Sequence, residues 1–225
     1  MGTGEFIRQN APFLAAGVLL TFLSSFGQTF FISIFAGEIR SEFALSHGAW
    51  GTAYSVGTFA SAIVMIWAGA LTDRFRVRTL GFCVLILLAA ATVVMALAQT
   101  LPALILAVFL LRFAGQGMST HLAAIAMARW YVATRGRALS IAYLGVAAGE
   151  AFLPMIVVAL MSGVSWRSLW GVAAVIILAL IPILIRLLRL ERTPASVATE
   201  NEATGFAGRH WTRGEVLRHP LFWFL

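Results

Sequence analysis

The chain has 225 residues, 60% of them apolar and 11% charged, with a net charge of +7 and a mean hydropathy of +0.91. Soluble domains carry about 45–50% apolar and about 25% charged residues, so this chain cannot cover a water-facing surface of its own. That excludes a soluble enzyme and a disordered tail. All 16 basic residues are arginines, nearly all in short connectors between apolar runs, a pattern of membrane topology rather than of a nucleic-acid face.

A spanning helix needs about 20 mostly apolar residues. After an N-terminal segment, 1–12, the first such run extends from Phe13 to Ala36, longer than the roughly 7–15 residues of a signal-peptide core. Further runs follow at Ala49–Leu71, Leu80–Ala98, Pro102–Ala128, Ala138–Met161 and Leu169–Leu188. None alternates as a barrel strand would, and a helix satisfies its own backbone in lipid. The fold class expected is all-α, a polytopic membrane bundle of six helices over 13–188. Residues 189–218 read as a polar linker, and 219–225 as the start of a seventh span. The chain is therefore expected to be the first half of a longer protein, or a truncated product of one.

If alternate connectors lie on opposite sides, thirteen of the 16 arginines fall with the N-terminus, from Arg8 to Arg218. Arg40 and Arg167 fall on the other side, and Arg112 lies within a helix. The positive-inside rule then makes the N-terminus cytoplasmic. The single cysteine, Cys83, allows no disulfide within the chain, and the four histidines share no ligand spacing, so neither a metal nor another cofactor is expected.

The connector after the second run reads Gly69-Ala70-Leu71-Thr72-Asp73-Arg74-Phe75-Arg76-Val77-Arg78. Gly69 permits close helix approach, while Asp73 can meet a helix N-terminus or an arginine and lock one conformation. This segment resembles the loop between helices 2 and 3 of the major facilitator superfamily, G-x-L-x-D-R-x-G-R-[KR]. Gly69, Leu71, Asp73, Arg74 and Arg78 match, whereas Arg76 replaces the second glycine and Val77 a basic residue. Arg112-Phe113-Ala114-Gly115-Gln116-Gly117 resembles the superfamily's R-x-x-G-x-G pattern in helix 4. Arg135-Gly136-Arg137-Ala138, Trp166-Arg167 and Pro220-Leu221-Phe222-Trp223 are similar to further landmarks in the same order.

The resemblance implies half of a twelve-helix carrier, built as two inverted three-helix repeats and monomeric when complete. It implies a conformational-switch loop at Gly69, Asp73, Arg74 and Arg78, and helix packing at Gly115, Gly117, Gly145 and Gly149. The implied setting is a bacterial-type inner membrane. Ser41-Glu42-Phe43-Ala44-Leu45-Ser46 is similar to the branch of monocarboxylate and oxalate/formate carriers. Drug antiporters carry G-x-x-x-G-P in helix 5; here Gly145 and Gly149 are present, but Glu150 stands at the proline position.

Arg112 lies about 15 Å from the outer end of its helix, near mid-bilayer, where a charge is costly unless paired or hydrated. On a regular helix Gln116 and Ser119 share its face. Glu150 lies at similar depth on the next helix, so an Arg112–Glu150 pair is expected, either structural or gating protons and an anion. His121 points away from Arg112 and reads as a packed histidine. Thr21, Ser25 and Gln28 form a second polar stripe in the first span, and Gly51, Ser55, Gly57 and Ser61 read as packing contacts in the second.

The function expected is secondary active transport of a small solute by alternating access, coupled to protons and directed at an organic anion such as a monocarboxylate. Alternatives are a drug or solute exporter, a channel, and an intramembrane serine protease using Ser119. The last lacks a histidine base within reach, since His121 points away.

Overall fold

The computed structural model describes residues 2–191 and 213–220. It is all-helical there, with six helices long and apolar enough to cross a membrane: Thr3–Ile34, His47–Arg74, Val77–Leu97, Leu101–Trp130, Arg135–Met161 and Trp166–Leu187. The second, fourth and sixth spans each begin on a hydroxyl cap. Ser46, Thr100 and Ser165 accept from the backbone N–H three residues on, at 3.1, 3.4 and 3.2 Å, satisfying donors that a helix start leaves open.

The first span starts at Thr3 rather than Phe13. The segment expected as a tail is mostly helix, because Phe6 is buried edge-on against Tyr131 with ring centroids 5.5 Å apart. The Tyr131 hydroxyl has no hydrogen-bond partner among the described residues, and burial pushes its pKa up to about 12. At the other end of the chain, residues 192–212 of the expected linker and 221–225 of the expected seventh span lie outside the described residues. Arg213–Arg218 forms a short helix.

Two spans are interrupted midway. The first breaks at a 3₁₀ turn, Ser25–Gly27, followed by extended Gln28 at φ −80°, ψ 154°. The fourth passes through a π-helical stretch, Arg112–Ser119. The packing has an internal symmetry. The first span packs most extensively on the fifth, the second on the fourth, and the third on the sixth. Exchanging spans one to three for four to six leaves that set of pairs unchanged, as expected for a three-helix repeat; an odd number of spans per repeat inverts one against the other. The second and fifth spans are the least enclosed, with 22% and 17% of their apolar windows buried against 56% for the first. Their open faces carry Val56, Phe59, Ile66 and Trp67 on the second and Leu144, Phe152 and Met155 on the fifth.

Candidate functional site

The interruptions of the first and fourth spans meet. A Cβ added to Gly115 would lie 2.6 Å from the Gly27 Cα, and one on Gly27 would collide with the Leu111 carbonyl oxygen. Only two glycines let these backbones touch. The break also turns the Gly27 carbonyl toward the fourth span, where it accepts from Arg112 Nη1 at 3.2 Å. The same nitrogen donates to Thr29 Oγ1 at 3.0 Å, and that oxygen also accepts from the Tyr54 hydroxyl at 3.0 Å. The guanidinium carbon stands 5.8 Å from the centroid of the Tyr54 ring, within cation–π range. Arg112 is 9% exposed, and its Nε is buried with no hydrogen-bond partner among the described residues. The result is a nearly buried cation held by a carbonyl, a hydroxyl and an aromatic face, all neutral.

The expected Arg112–Glu150 pair is not formed. Glu150 is exposed on the fifth span, whereas Arg129 pairs with Asp73 and Arg167 with Glu42 among the described residues. Equal depth on consecutive helices does not make two residues neighbours: the fifth span packs chiefly on the first, and it meets the fourth mainly along Thr120–Trp130 rather than along the stretch that carries Arg112. Nor do Gln116 and Ser119 share the surroundings of Arg112. Gln116 is exposed, while Ser119 is fully buried and donates to the Ala114 carbonyl at 2.9 Å. A π turn closes i to i+5, so the expected face, drawn at 100° per residue, does not apply here. The same bond occupies the hydroxyl considered as a nucleophile.

The stripe in the first span divides. Thr21 and Ser25 are buried toward the fifth span, where Thr21 Oγ1 donates to the Ala142 carbonyl at 2.5 Å. Side chains at Gly145 and Gly149 would collide with Thr21 Oγ1 and Ser25 Oγ. Ser25 Oγ has no hydrogen-bond partner among the described residues. Gln28 is half-buried at the break and reaches Ser24 Oγ at 3.5 Å. In the second span Gly57 and Ser61 are buried, but Gly51 and Ser55 are exposed, so those two are not packing contacts within this bundle. Gly117 faces Met65 Sδ, and a Cβ on Gly69 would stand 3.4 Å from His121 Nε2.

Carboxylates gather at the bundle's ends. At the arginine-rich end, Arg129 pairs with exposed Asp73 and donates to the Thr72 carbonyl. Beside it, Glu191 is 8% exposed and accepts from the Val77 and Arg78 backbone N–H groups, both at 2.7 Å. It caps the third span from just beyond the sixth. Burial raises its pKa, opposed by those two bonds and by the charges of Arg76 and Arg78. Arg74 is exposed and Arg78 half-buried. At the opposite end Arg167 binds Glu42 Oε1 at 2.7 Å and reaches the Ala96 and Ala98 carbonyls, while Trp166 Nε1 donates to Glu42 Oε2 at 2.8 Å. Arg167 holds the Glu42 carboxyl below its usual pKa. A cleft of about 470 Å³ opens beside this cluster, but its two charged groups already satisfy each other.

Sequence reasoning singled out Arg112 and missed Gly27, Thr29, Tyr54 and Glu191. A glycine followed by glutamine and threonine in mid-span signals a break. Nothing local marks Tyr54, whose partner lies 25 residues away, and Glu191 sits in the polar stretch read as linker. A family model described as Major Facilitator Superfamily matches residues 17–225. No curated protein matches the chain.

Proposed function

The chain belongs to the major facilitator superfamily of membrane transporters, and from that premise we propose that it is the N-terminal half of a secondary carrier for a small organic anion, a monocarboxylate being the simplest. The observation that carries this reading is Arg112, a nearly buried cation whose hydrogen-bond partners are all neutral. A charge held that way keeps its attraction for an anion, and a guanidinium is suited to a carboxylate. Glu150, the acidic residue nearest mid-span, is assigned the coupling proton, with Gln28 and Gln116 lining the approach. Ser25 stands at the break, and Ser119 supports the helix from within.

In this reading a second six-span bundle docks on the open faces of the second and fifth spans. Asp73 and Arg129, with Gly69, Arg74 and Arg78 around them, hold one conformation at the arginine-rich end. That end faces the cytoplasm of a bacterial-type cell. The exporter alternative is weakened by Glu150 at the position where drug antiporters carry proline.

The test is counterflow in proteoliposomes. A longer protein containing these residues should exchange labelled acetate or oxalate, with initial rates that saturate, and Arg112→Met should abolish exchange. Flux that does not saturate and shows no counterflow would make the protein a channel. The 225-residue chain alone should bind but not accumulate the anion.

A further inference from the structure

We propose that the Thr29 hydroxyl, rather than Arg112 alone, makes the first hydrogen bond to the carboxylate, and that Tyr54 holds it in position to do so. This rests on the reading of Arg112 as an anion site and names the group that touches the ligand. A threonine oxygen has two lone pairs and one proton. Here Arg112 Nη1 donates to Thr29 Oγ1 at 3.0 Å, and so does the Tyr54 hydroxyl, also at 3.0 Å. The phenol is the more acidic of the two hydroxyls and the natural donor between them. With both lone pairs occupied, the Thr29 proton has to be given to something else. The side chain donates to no group among the described residues, and Thr29 is exposed, whereas Ser24 and Ser25 before it are buried.

The electrostatics favour an anion at that proton. Accepting from a cation polarises the O–H bond and strengthens it as a donor. Tyr54 donates into the same oxygen and adds to the effect. The positive charge of Arg112 is thereby passed forward by one hydroxyl, from a residue that is 9% exposed to one that is exposed. Thr29, Tyr54 and Arg112 come from the first, second and fourth spans, so a carboxylate on this hydroxyl would bear on all three.

The experiment measures acetate and oxalate binding to the 225-residue chain in nanodiscs by calorimetry, against sodium chloride at equal ionic strength. Thr29→Val removes the hydroxyl at nearly constant shape and should weaken binding about tenfold or more. Thr29→Ser should stay within about threefold, because it keeps the donor. Tyr54→Phe should cost about threefold, through loss of orientation alone. If Thr29→Val does not elute as a folded monomer, Thr29→Ala takes its place, with the same loss expected. Wild-type affinity in Thr29→Val, alongside lost binding in Arg112→Met, would overturn the proposal and leave the anion reading standing. A loss in Tyr54→Phe larger than in Thr29→Val would move the donor to Tyr54 and also overturn it. No carboxylate binding by the wild-type chain would remove the anion reading, and this inference with it.

Discussion

Among the described residues three arginines hydrogen-bond from one span to another, and the company they keep differs with depth. Arg129 and Arg167, at opposite ends, meet the carboxylates of Asp73 and Glu42 as well as backbone carbonyls. Arg112, midway along the fourth span, meets a carbonyl and a hydroxyl. A carboxylate partner cancels charge, whereas neutral partners lower the cost of holding the cation without cancelling it. The ends are therefore fastened, and the middle is left electrostatically open. The same contrast appears in the backbone, which is capped at the ends and interrupted where the first and fourth spans cross.

The sharpest way to break this picture is to remove the crossing. Gly27→Ala sets a Cβ against the Leu111 carbonyl and 2.7 Å from the Gly115 Cα, and neither backbone can rotate away as a side chain could. It should cost about 3 kcal/mol or more, read as lost folded yield and a lower melting temperature in detergent. Gly51→Ala, with nothing within 4 Å, should be neutral or slightly stabilising. Equal behaviour of the two would mean that the crossing is looser than the geometry says.

Next come the fastened ends. Arg167→Met takes the charge partner from Glu42, leaving it the Trp166 bond, and uncovers the Ala96 and Ala98 carbonyls, at a cost of roughly 2–3 kcal/mol. Because Arg167 depresses the Glu42 pKa, the carboxylate contributes stability above its ordinary range near 4.5, and loses it as pH falls through the depressed value. Glu42→Gln should remove that acid-side slope from the melting curve. Glu191 has the opposite sign. Its raised pKa means that its contribution is fully present below about 4.5 and is lost as pH rises through the raised value. Glu191→Gln should therefore change the slope in the opposite direction.

Arg112→Met leaves no carboxylate without its charge partner, so its stability cost should be smaller, roughly 1–2 kcal/mol, even though the proposed anion site would be lost. A double-mutant cycle with Glu150→Leu should be additive to within about 0.5 kcal/mol. A double mutant that recovers stability would show that the two charges meet after all. Asp73→Asn should have the smallest effect, under about 1 kcal/mol, since the Asp73 side chain is 69% exposed and surface pairs contribute little.

Spans and their order were legible because hydropathy needs no knowledge of neighbours. Even so, the first helix runs past its expected start to Thr3, since Phe6 finds Tyr131. The site was legible only at Arg112, whose charge stands out against an apolar run. The face drawn through Gln116 and Ser119 assumed an α-helix, and the π stretch removed that assumption. Gly51 and Ser55 looked like packing residues because small residues mark contact without saying which face is in contact.

The sequence by itself determined six spans, an arginine-rich end and a cation deep in the fourth helix, because each follows from the cost of placing polar groups in lipid. Its order of motifs also carried the family. Which groups meet was decided by the tertiary structure alone. Arg112 found Gly27 and Thr29 instead of Glu150, because a broken first span presents a carbonyl and a hydroxyl to the fourth, while Glu150 is exposed on a helix packed chiefly against the first span. Depth in the membrane is a property of sequence, but azimuth depends on packing, and in this protein azimuth selects the partners of the one deep arginine.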